Sequence, residues 1–495
     1  MKLQNIFGNE VNNFLITSAI SLNNKSANAY FCVKYYNMQI NNRYQKFLSL
    51  RKEYHQFTYQ SFDYSINADG ISMEFNFNID NDFAFNPHLF IPQQNFIDFN
   101  RITKTLLDQL VFNIGMVELI SYWKAICPIK VNIIPFNLNQ DQINFWKKIY
   151  YHGLGEFFYL NGIEINMGDF MQIVPNEEKP FMKAESVHVD DSTIIPVGGG
   201  KDSVVSLELL KNQGNNLALI MNPRGASTAT ANVGGFQDAT IIIRRFLDTK
   251  LLSLNEQGFL NGHTPFSALL AFVSFLAAAV SGKKYIALSN ESSANESTVV
   301  GTMVNHQYSK SLEFESDFRN YSQQYLSPDI HYFSLLRPLS ELQIASVFAK
   351  NESYFQDFRS CNAGSKTNSW CGKCSKCLFT YIILSPFVQP KKLVEIFGNN
   401  LLDDVELKLF FDELTGIAEV KPFECVGTVD EVNLALCFFL SQYEGEKPFL
   451  LQYFVDKGMD KSCSSINIEE VLKTIETEHF LEPKFLNLIQ QKLKS

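Results

Sequence analysis

The sequence lacks an excess of basic charge, a membrane-length apolar run and the two commonest nucleotide fingerprints. Each absence narrows what the chain does. Its 42 lysines and arginines are outnumbered by 52 aspartates and glutamates, giving a formal net charge of −10. Nucleic acid is ordinarily met by a basic face, so this balance argues against a nucleic-acid substrate. The best candidate for a membrane crossing, Pro265 to Ser281, is slightly short and rich in alanine, and it reads instead as a buried core helix. The start, MKLQNIFGNEVNNF, has neither the basic opening nor the long apolar run of a secretory signal. Nine cysteines without an export signal point to reduced thiols in the cytoplasm rather than a disulfide framework. No membrane partner is expected.

What the chain does have is bulk and one unusual turn. Its 495 residues are 46% hydrophobic, enough for two to four domains with sizeable cores. Ile194 to Val197 reads as a short apolar strand, Gly198, Gly199 and Gly200 follow, and Lys201, Asp202 and Ser203 open a helix. Glycines there let backbone N–H groups turn toward an anion, and the helix aims its positive end at the same point. The turn is built for phosphate. Lys201 is followed by Asp202, not the Ser/Thr of a kinase-type P-loop, and three adjacent glycines do not make the spaced dinucleotide pattern.

The turn resembles the pyrophosphate loop (Ser-Gly-Gly-x-Asp-Ser) of the ATP pyrophosphatase, or PP-loop, superfamily. It matches at Gly199, Gly200, Asp202 and Ser203 and departs at Gly198, where that pattern has serine. The resemblance implies cleavage of ATP between its α- and β-phosphates and transfer of AMP to an oxygen, with the loop N–H groups and Ser203 holding the departing pyrophosphate. Lys201 would add charge, and Asp202 would help to hold Mg²⁺ or order the loop.

From Val187 onward strands and helices alternate, the pattern of a parallel sheet with helices on both faces. The expected strands are Thr193–Val197, Leu217–Met221, Ala239–Ile243, Tyr285–Leu288 and His331–Leu335. Ligands of such sheets sit beyond the carboxyl ends of strands. Asn222 and Arg224 follow the second strand, where the related enzymes border adenine, although a surface arginine is an equal reading of Arg224. His263 precedes the cap Thr264 and first-turn Pro265 of the long apolar helix, and alone would pass for a loop histidine. After Leu288 comes Ser289 to Glu296, a polar cluster with Asn290, Glu291 and Glu296 that suits substrate or Mg²⁺ better than a solvated turn.

Cys361, Cys371, Cys374 and Cys377 supply four thiols with Cys-x-x-Cys-x-x-Cys at the core, which favours structural zinc slightly over reduced cysteines packing the apolar helix that follows. Cys32, Cys127, Cys425, Cys437 and Cys463 read as scattered core or surface thiols. The N-terminal part reads as α+β: a hairpin of Phe62–Ile66 and Ile71–Ile79 around Asn67–Gly70, a helix Ile102–Trp123 with Leu106, Leu107, Leu110, Ile114 and Val117 on one face, a strand Ile129–Ile134 and a helix Asp141–Tyr159. The tail reads as helices at Asn400–Leu414, Thr428–Tyr443 and Ile466–Phe480. The division expected is an α+β domain over 1–185 for substrate binding, a nucleotide domain over 186–390 carrying the cysteines, and a helical region over 391–495.

Three segments together resemble one family, the UDP-N-acetylmuramoyl-L-alanyl-L-glutamate epimerases: Pro196 to Ser203, Ala287 to Glu291, and Trp370 to Cys377. Ile120 to Lys124 is a weaker echo, and Gly198 fits this narrower pattern. The resemblance covers residues 120 to 377. It implies an α/β fold like the adenine nucleotide alpha hydrolases and an ATP- and Mg²⁺-dependent inversion of the terminal glutamate of a UDP-MurNAc dipeptide in peptidoglycan precursor synthesis. The carboxylate would be adenylated before proton transfer, for which His263, His306, Glu291 and Glu296 are the candidates. Arg224, Arg244, Arg245 and Arg337 are candidates for the UDP diphosphate. The competing readings are an amide- or nitrile-forming ligase similar to 7-cyano-7-deazaguanine synthase, which is normally about half this length; a tRNA-modifying adenylating enzyme, disfavoured by charge; and a nucleotide-binding regulator, against which the Asp202–Ser203 pair argues.

Overall fold

A computed structural model describes residues 42–296, 305, 307–465 and 467–494. Its framework is an 11-stranded mixed sheet in the spatial order β11-β10-β7-β8-β9-β4-β2-β1-β5-β6, with β3 paired to β2. The strands are β1 Gln56–Asn67, β2 Gly70–Ile79, β3 Phe83–Phe85, β4 His88–Pro92, β5 Lys130–Ile133, β6 Gln172–Pro175, β7 Asp190–Pro196, β8 Leu217–Met221, β9 Thr240–Phe246, β10 Lys283–Leu288 and β11 His331–Ser334. The five strands from β7 to β11 pair in parallel. Beyond them β4 pairs antiparallel with β9, Leu89 opposite Arg245, so strands from both sides of residue 185 share one sheet. The sequence reading of a separate α+β unit did not anticipate this junction.

The strands follow from the apolar pattern. On β7 and β8 successive side chains are buried on opposite faces. Ile194 and Leu219 join a core with Phe272 and Leu276, while Ile195, Ala218 and Ile220 join a second core with Leu207 and Leu342. Burial on both faces is why these strands read as continuous apolar runs. In contrast, β1 has one buried face near its start and becomes exposed toward Asn67, and it turns into β2 with Asn67 opposite Gly70, the expected hairpin.

Helices cover both faces. Lys104–Trp123 and Phe266–Ser281 pack together in the first core. Lys201–Leu210, Glu341–Ala349, Ser375–Leu384 and Val429–Gln442 share the second. The first of these helices was expected to bury one stripe. It is instead buried nearly all round, including Asn113 and Glu118, because the sheet and Phe266–Ser281 enclose it. Phe266–Ser281 is a core helix ending at left-handed Gly282, and Pro265, expected inside its first turn, is its N-cap. Among the described residues no helix is long and apolar enough to cross a membrane.

Further expectations need correction. The helix read as Asp141–Tyr159 is two, Gln140–Gly153 and Gly155–Leu160. Its break lies where Pro265 comes so near Gly153 that a Cβ there would meet the ring at 2.7 Å. In the tail, Asn400–Leu414 is two short 3-10 turns leading into the helix Lys408–Thr415, and the described residues of Ile466–Phe480 contain only the helical turn Ile468–Val471. A terminal helix, Pro483–Lys494, was not foreseen; it sends Phe485 and Ile489 into the second core. Cys437 and Cys463, read as separate thiols, form a disulfide.

Candidate functional site

The glycine turn lies at the carboxyl end of β7, between the carboxyl ends of β8 and β10, the two strands that flank it. Gly200 is the N-cap of the helix Lys201–Leu210 and has no side chain to occupy the exposed N–H groups. Gly198 N–H donates to Ser203 Oγ at 3.0 Å, which folds the turn back onto its own helix. Gly199 has φ +92°, and a Cβ there would lie 2.6 Å from the backbone nitrogen of Ser227. Only glycine combines that conformation with that approach.

Behind the turn is a buried charge cluster. Lys201 is 3% exposed and its ammonium pairs with Asp202 at 2.5 Å and with Glu341. Burial alone would lower Lys201, but the two carboxylates push it above the ordinary lysine range. Burial also pushes Glu431 above the ordinary range for glutamate, and it accepts from Glu341 N–H at 2.8 Å. Glu291 is buried at the end of β10. Asp202 and Glu341 pair with Lys201, and Glu291 and Glu431 act on Glu341 in turn, so four acidic side chains gather behind the turn.

The polar cluster after β10 is built in rather than solvated. Ser289 Oγ lies 2.8 Å from Ser206 Oγ, and Asn290 donates to Ser334 Oγ at 3.0 Å. Glu296 pairs with Lys421. Asn222, at φ 52°, accepts from Arg245 N–H at 2.7 Å. Arg224 is exposed and donates to Ser365 Oγ. The structure thus brings the ends of β8, β7 and β10 together, as the sequence analysis expected of residues following strands.

The proposed proton-transfer residues do not all join them. Glu291 lies on the loop after β10, where Arg337 holds its carbonyl and its carboxyl group acts on Glu341. His263 lies on the loop before Phe266–Ser281, 3.8 Å from Glu156. His306 lies outside the described residues. Two of the four arginines are committed to internal contacts. Arg337 is 1% exposed and bonds to the carbonyls of Glu291 and Lys310 and to Glu315, so it braces the β10 loop and does not face a ligand. Arg245 lies on the Glu118 carboxylate at 2.9 Å and on Ser121 at 3.0 Å. Arg244 is exposed.

The four cysteines converge. Cys361–Cys374, Cys371–Cys377 and Cys374–Cys377 sulfurs are 3.8, 3.6 and 3.5 Å apart. All four sulfurs lie within 4.8 Å of one another. Four thiolates about 2.3 Å from a tetrahedral ion stand roughly 3.8 Å apart, so the donor set fits such an ion. Gly364 N–H and Lys373 N–H point at Cys361 and Cys371 sulfurs at 3.2 and 3.4 Å, as outer-shell donors to thiolates do. The knuckle also touches the turn. Arg359 N–H donates to the Gly199 carbonyl at 2.8 Å, and a Cβ on Gly200 would lie 2.8 Å from Ser360 Oγ.

Sequence reasoning missed Glu341, Lys310, Arg359 and Ser360, whose roles arise only when distant segments meet. It also missed Lys124, quoted earlier only within a weak echo. Lys124 is buried, donates to the Gly262 carbonyl, and burial lowers it to about 8.

Comparison with known proteins assigns the family. Residues 49–335 match the MurL N-terminal domain and residues 356–467 the MurL C-terminal domain. The chain is 34% identical over 389 residues to the UDP-N-acetyl-alpha-D-muramoyl-L-alanyl-L-glutamate epimerase of Xanthomonas oryzae pv. oryzae, covering 77% of this chain and 85% of that one. It is 31% identical to the protein of the same name from Micromonospora sp., over 79% of this chain and 87% of that one. It is 34% identical to that from Salinispora tropica, over 64% and 70%. No solved structure matches. With both family models matched in order and relatives aligned across most of their length, the chain belongs to the MurL epimerase family.

Proposed function

We propose that the protein inverts the terminal glutamate of UDP-MurNAc-L-Ala-L-Glu to the D form by an ATP- and Mg²⁺-dependent route through an acyl-adenylate, in peptidoglycan precursor synthesis. The observation that carries the nucleotide part is the turn itself: Gly198 to Ser203 at a parallel strand's carboxyl end, on a helix N-terminus, beside Asp202 and buried Glu341. The relatives' name carries the substrate.

The chemistry explains why an epimerase would use ATP. The proton α to a free carboxylate is very weakly acidic, because its removal would place two negative charges on one small group. Adenylation removes the carboxylate charge and makes the carbonyl electron-withdrawing. A base then takes the proton, reprotonation on the other face gives the D centre, and hydrolysis releases product and AMP. Loop N–H groups and Ser203 would hold the pyrophosphate. Asp202 and Glu291 would hold Mg²⁺, which when bound neutralises phosphate charge. The sulfurs of Cys361, Cys371, Cys374 and Cys377 would hold structural zinc, fixing Arg359 and Ser360 against the turn. Arg224 and Arg244, the exposed two of the four candidate arginines, would meet the UDP diphosphate.

Incubation with ATP, Mg²⁺ and the L-Glu nucleotide should yield AMP, pyrophosphate and D-glutamate after product hydrolysis. D-glutamate without ATP consumption would sink the adenylation route. Absence of both products would sink the reading as a whole. AMP formed only with tRNA, or only with carboxydeazaguanine and ammonia, would select a competing reaction.

A further inference from the structure

Where β9 meets β4, one face of the sheet carries aromatic side chains that no core absorbs. Leu89, Ile91, Ile241 and Ile243 point into the first core, so the residues that alternate with them point to the other face. On that face Ile242 packs against the second core, but Phe90 and Phe246 join neither core. The cross-strand neighbours there are Arg244 opposite Phe90, His88 opposite Phe246, and Glu74 opposite His88. Arg245, between Arg244 and Phe246, turns the opposite way onto Glu118.

The carboxyl end of β9 thus presents a ready-made stack. The His88 and Phe246 rings lie 4.3 Å apart with their planes 15° from parallel. Phe246 is nevertheless 43% exposed. Exposed Arg244 shares its face, and exposed Arg224 leaves the adjacent strand nearby. Arg224 and Phe246 each lie three residues beyond the last paired position, Met221 opposite Ile243. Asn222 Oδ1, accepting from Arg245 N–H, fastens the two strand ends together. Two strand spacings separate β9 from β7, which carries the glycine turn, a distance of about 10 Å.

We infer that the His88–Phe246 pair is the platform on which the uracil ring of the substrate's UDP group stacks, with Arg244 and Arg224 at its diphosphate. This rests on the proposed substrate. A pyrimidine offers a flat π-face, and the diphosphate beside it offers adjacent negative charges. Exposed rings bordered by two exposed arginines match both parts of such a ligand, whereas an apolar partner would have no use for the arginines. The pair is already stacked across two strands, so binding a third ring orders little that is not ordered in the free protein. The platform lies one strand further from the turn than the loop after β8, where the adenine of an ATP held on that turn is expected. It therefore takes the second nucleotide, not the first.

Calorimetric titration of the full chain with UDP, and with ADP as the adenine control, tests this in the parent, Phe246→Ala and Phe246→Trp. Phe246→Ala should weaken UDP binding about tenfold or more, the effect of removing one base-stacking ring, and leave ADP binding within about twofold. Phe246→Trp keeps a stacking surface and should bind UDP within about threefold of the parent. In turnover, Phe246→Ala should raise KM for the UDP-linked L-substrate by about the same factor as it weakens UDP, with kcat within about twofold, the pattern of lost ground-state binding. The same dipeptide on MurNAc 1-phosphate, which has no uridine, should not distinguish the two proteins. UDP binding by Phe246→Ala within about twofold of the parent would overturn the inference, as would a parent that binds no UDP. Equal loss of ADP affinity would also overturn it, because the rings would then serve ATP or the fold. The proposed activity fails separately, if the parent binds UDP through Phe246 yet forms neither AMP nor the D-isomer.

Discussion

Gly199→Ala should damage the turn, and Gly198→Ser, one residue earlier, should leave it intact. The contrast comes from geometry. Gly199 is at φ +92°, and its Cβ would lie 2.6 Å from Ser227 N and 2.8 Å from Ala226 C. Those are backbone atoms of the first turn of the helix Gly225–Val233, so no side chain can rotate away. The left-handed conformation costs a non-glycine residue about 1–2 kcal/mol, and forcing an extra carbon into packed backbone costs about 1–3 kcal/mol. The combined penalty is about 2–5 kcal/mol, the lower bound being roughly a 30-fold change in an equilibrium constant. The Cβ of a residue at 198 would meet nothing nearer than Ser203 Oγ at 3.8 Å, and no positive φ applies there. A serine at 198 should then change stability by no more than about 0.5 kcal/mol, as ordinary surface substitutions do. Calorimetric titration with a non-hydrolysable ATP analogue, together with urea unfolding, reads both places where the penalty can appear. If the turn holds its shape the loss falls on stability; if it distorts, the loss falls on nucleotide affinity. A Gly199→Ala protein as tight-binding and as stable as Gly198→Ser would refute the reasoning.

Lys201→Met should destabilise the fold by about 3–5 kcal/mol, because it leaves the Glu341 carboxylate buried without its cation. Adding Glu341→Gln should restore part of that loss in a double-mutant cycle by denaturant unfolding. Cys374→Ser should lose one equivalent of zinc by elemental analysis. It should also weaken nucleotide binding, since the knuckle holds Gly199 through Arg359. Lys124 predicts a pH effect: its folded value is lowered by burial to about 8, from an unfolded 10.5. Between these values the unfolded chain binds more protons, so stability rises with pH over that window, by about 3 kcal/mol in total. Below pH 8 the penalty is fully present. Lys124→Met should remove this rise in urea unfolding measured at pH 7.5 and pH 10.

The parallel strands were legible because burial on both faces leaves an unbroken apolar run, as in Leu217-Ala218-Leu219-Ile220-Met221, which needed no change of boundary. The hairpin was legible because Asn67 to Gly70 names its own turn. β3, β4 and β6 were missed. They span three, five and four residues. The tail failed for a different reason. Ile466–Phe480 has helical spacing, but Gln343 draws the carbonyls of Leu472 and Thr474 onto its side-chain amide, and tertiary bonds there replace helical ones. Within the site, Gly198 to Ser203 and the four cysteines are local words in the sequence. Glu341 is not: 140 residues lie between it and the lysine it pairs with, and nothing near it in sequence marks it.

The β4–β9 pairing gives the weak echo at Ile120 to Lys124 a physical meaning. It carries the sheet from the phosphate turn toward the N-terminal helices, and the helix Lys104–Trp123 ends beside the carboxyl end of β9. There Ser121 and Glu118 hold Arg245, and the Tyr122 hydroxyl accepts from Asp248 N–H at 3.0 Å. Lys124 follows, reaching the Gly262 carbonyl next to His263, and His263 faces Glu156. On this geometry the first half of the chain is not an appended module. It shares one sheet and the Glu118–Arg245 ion pair with the second half, and truncating it would remove the partner of Arg245 and the packing around Lys124.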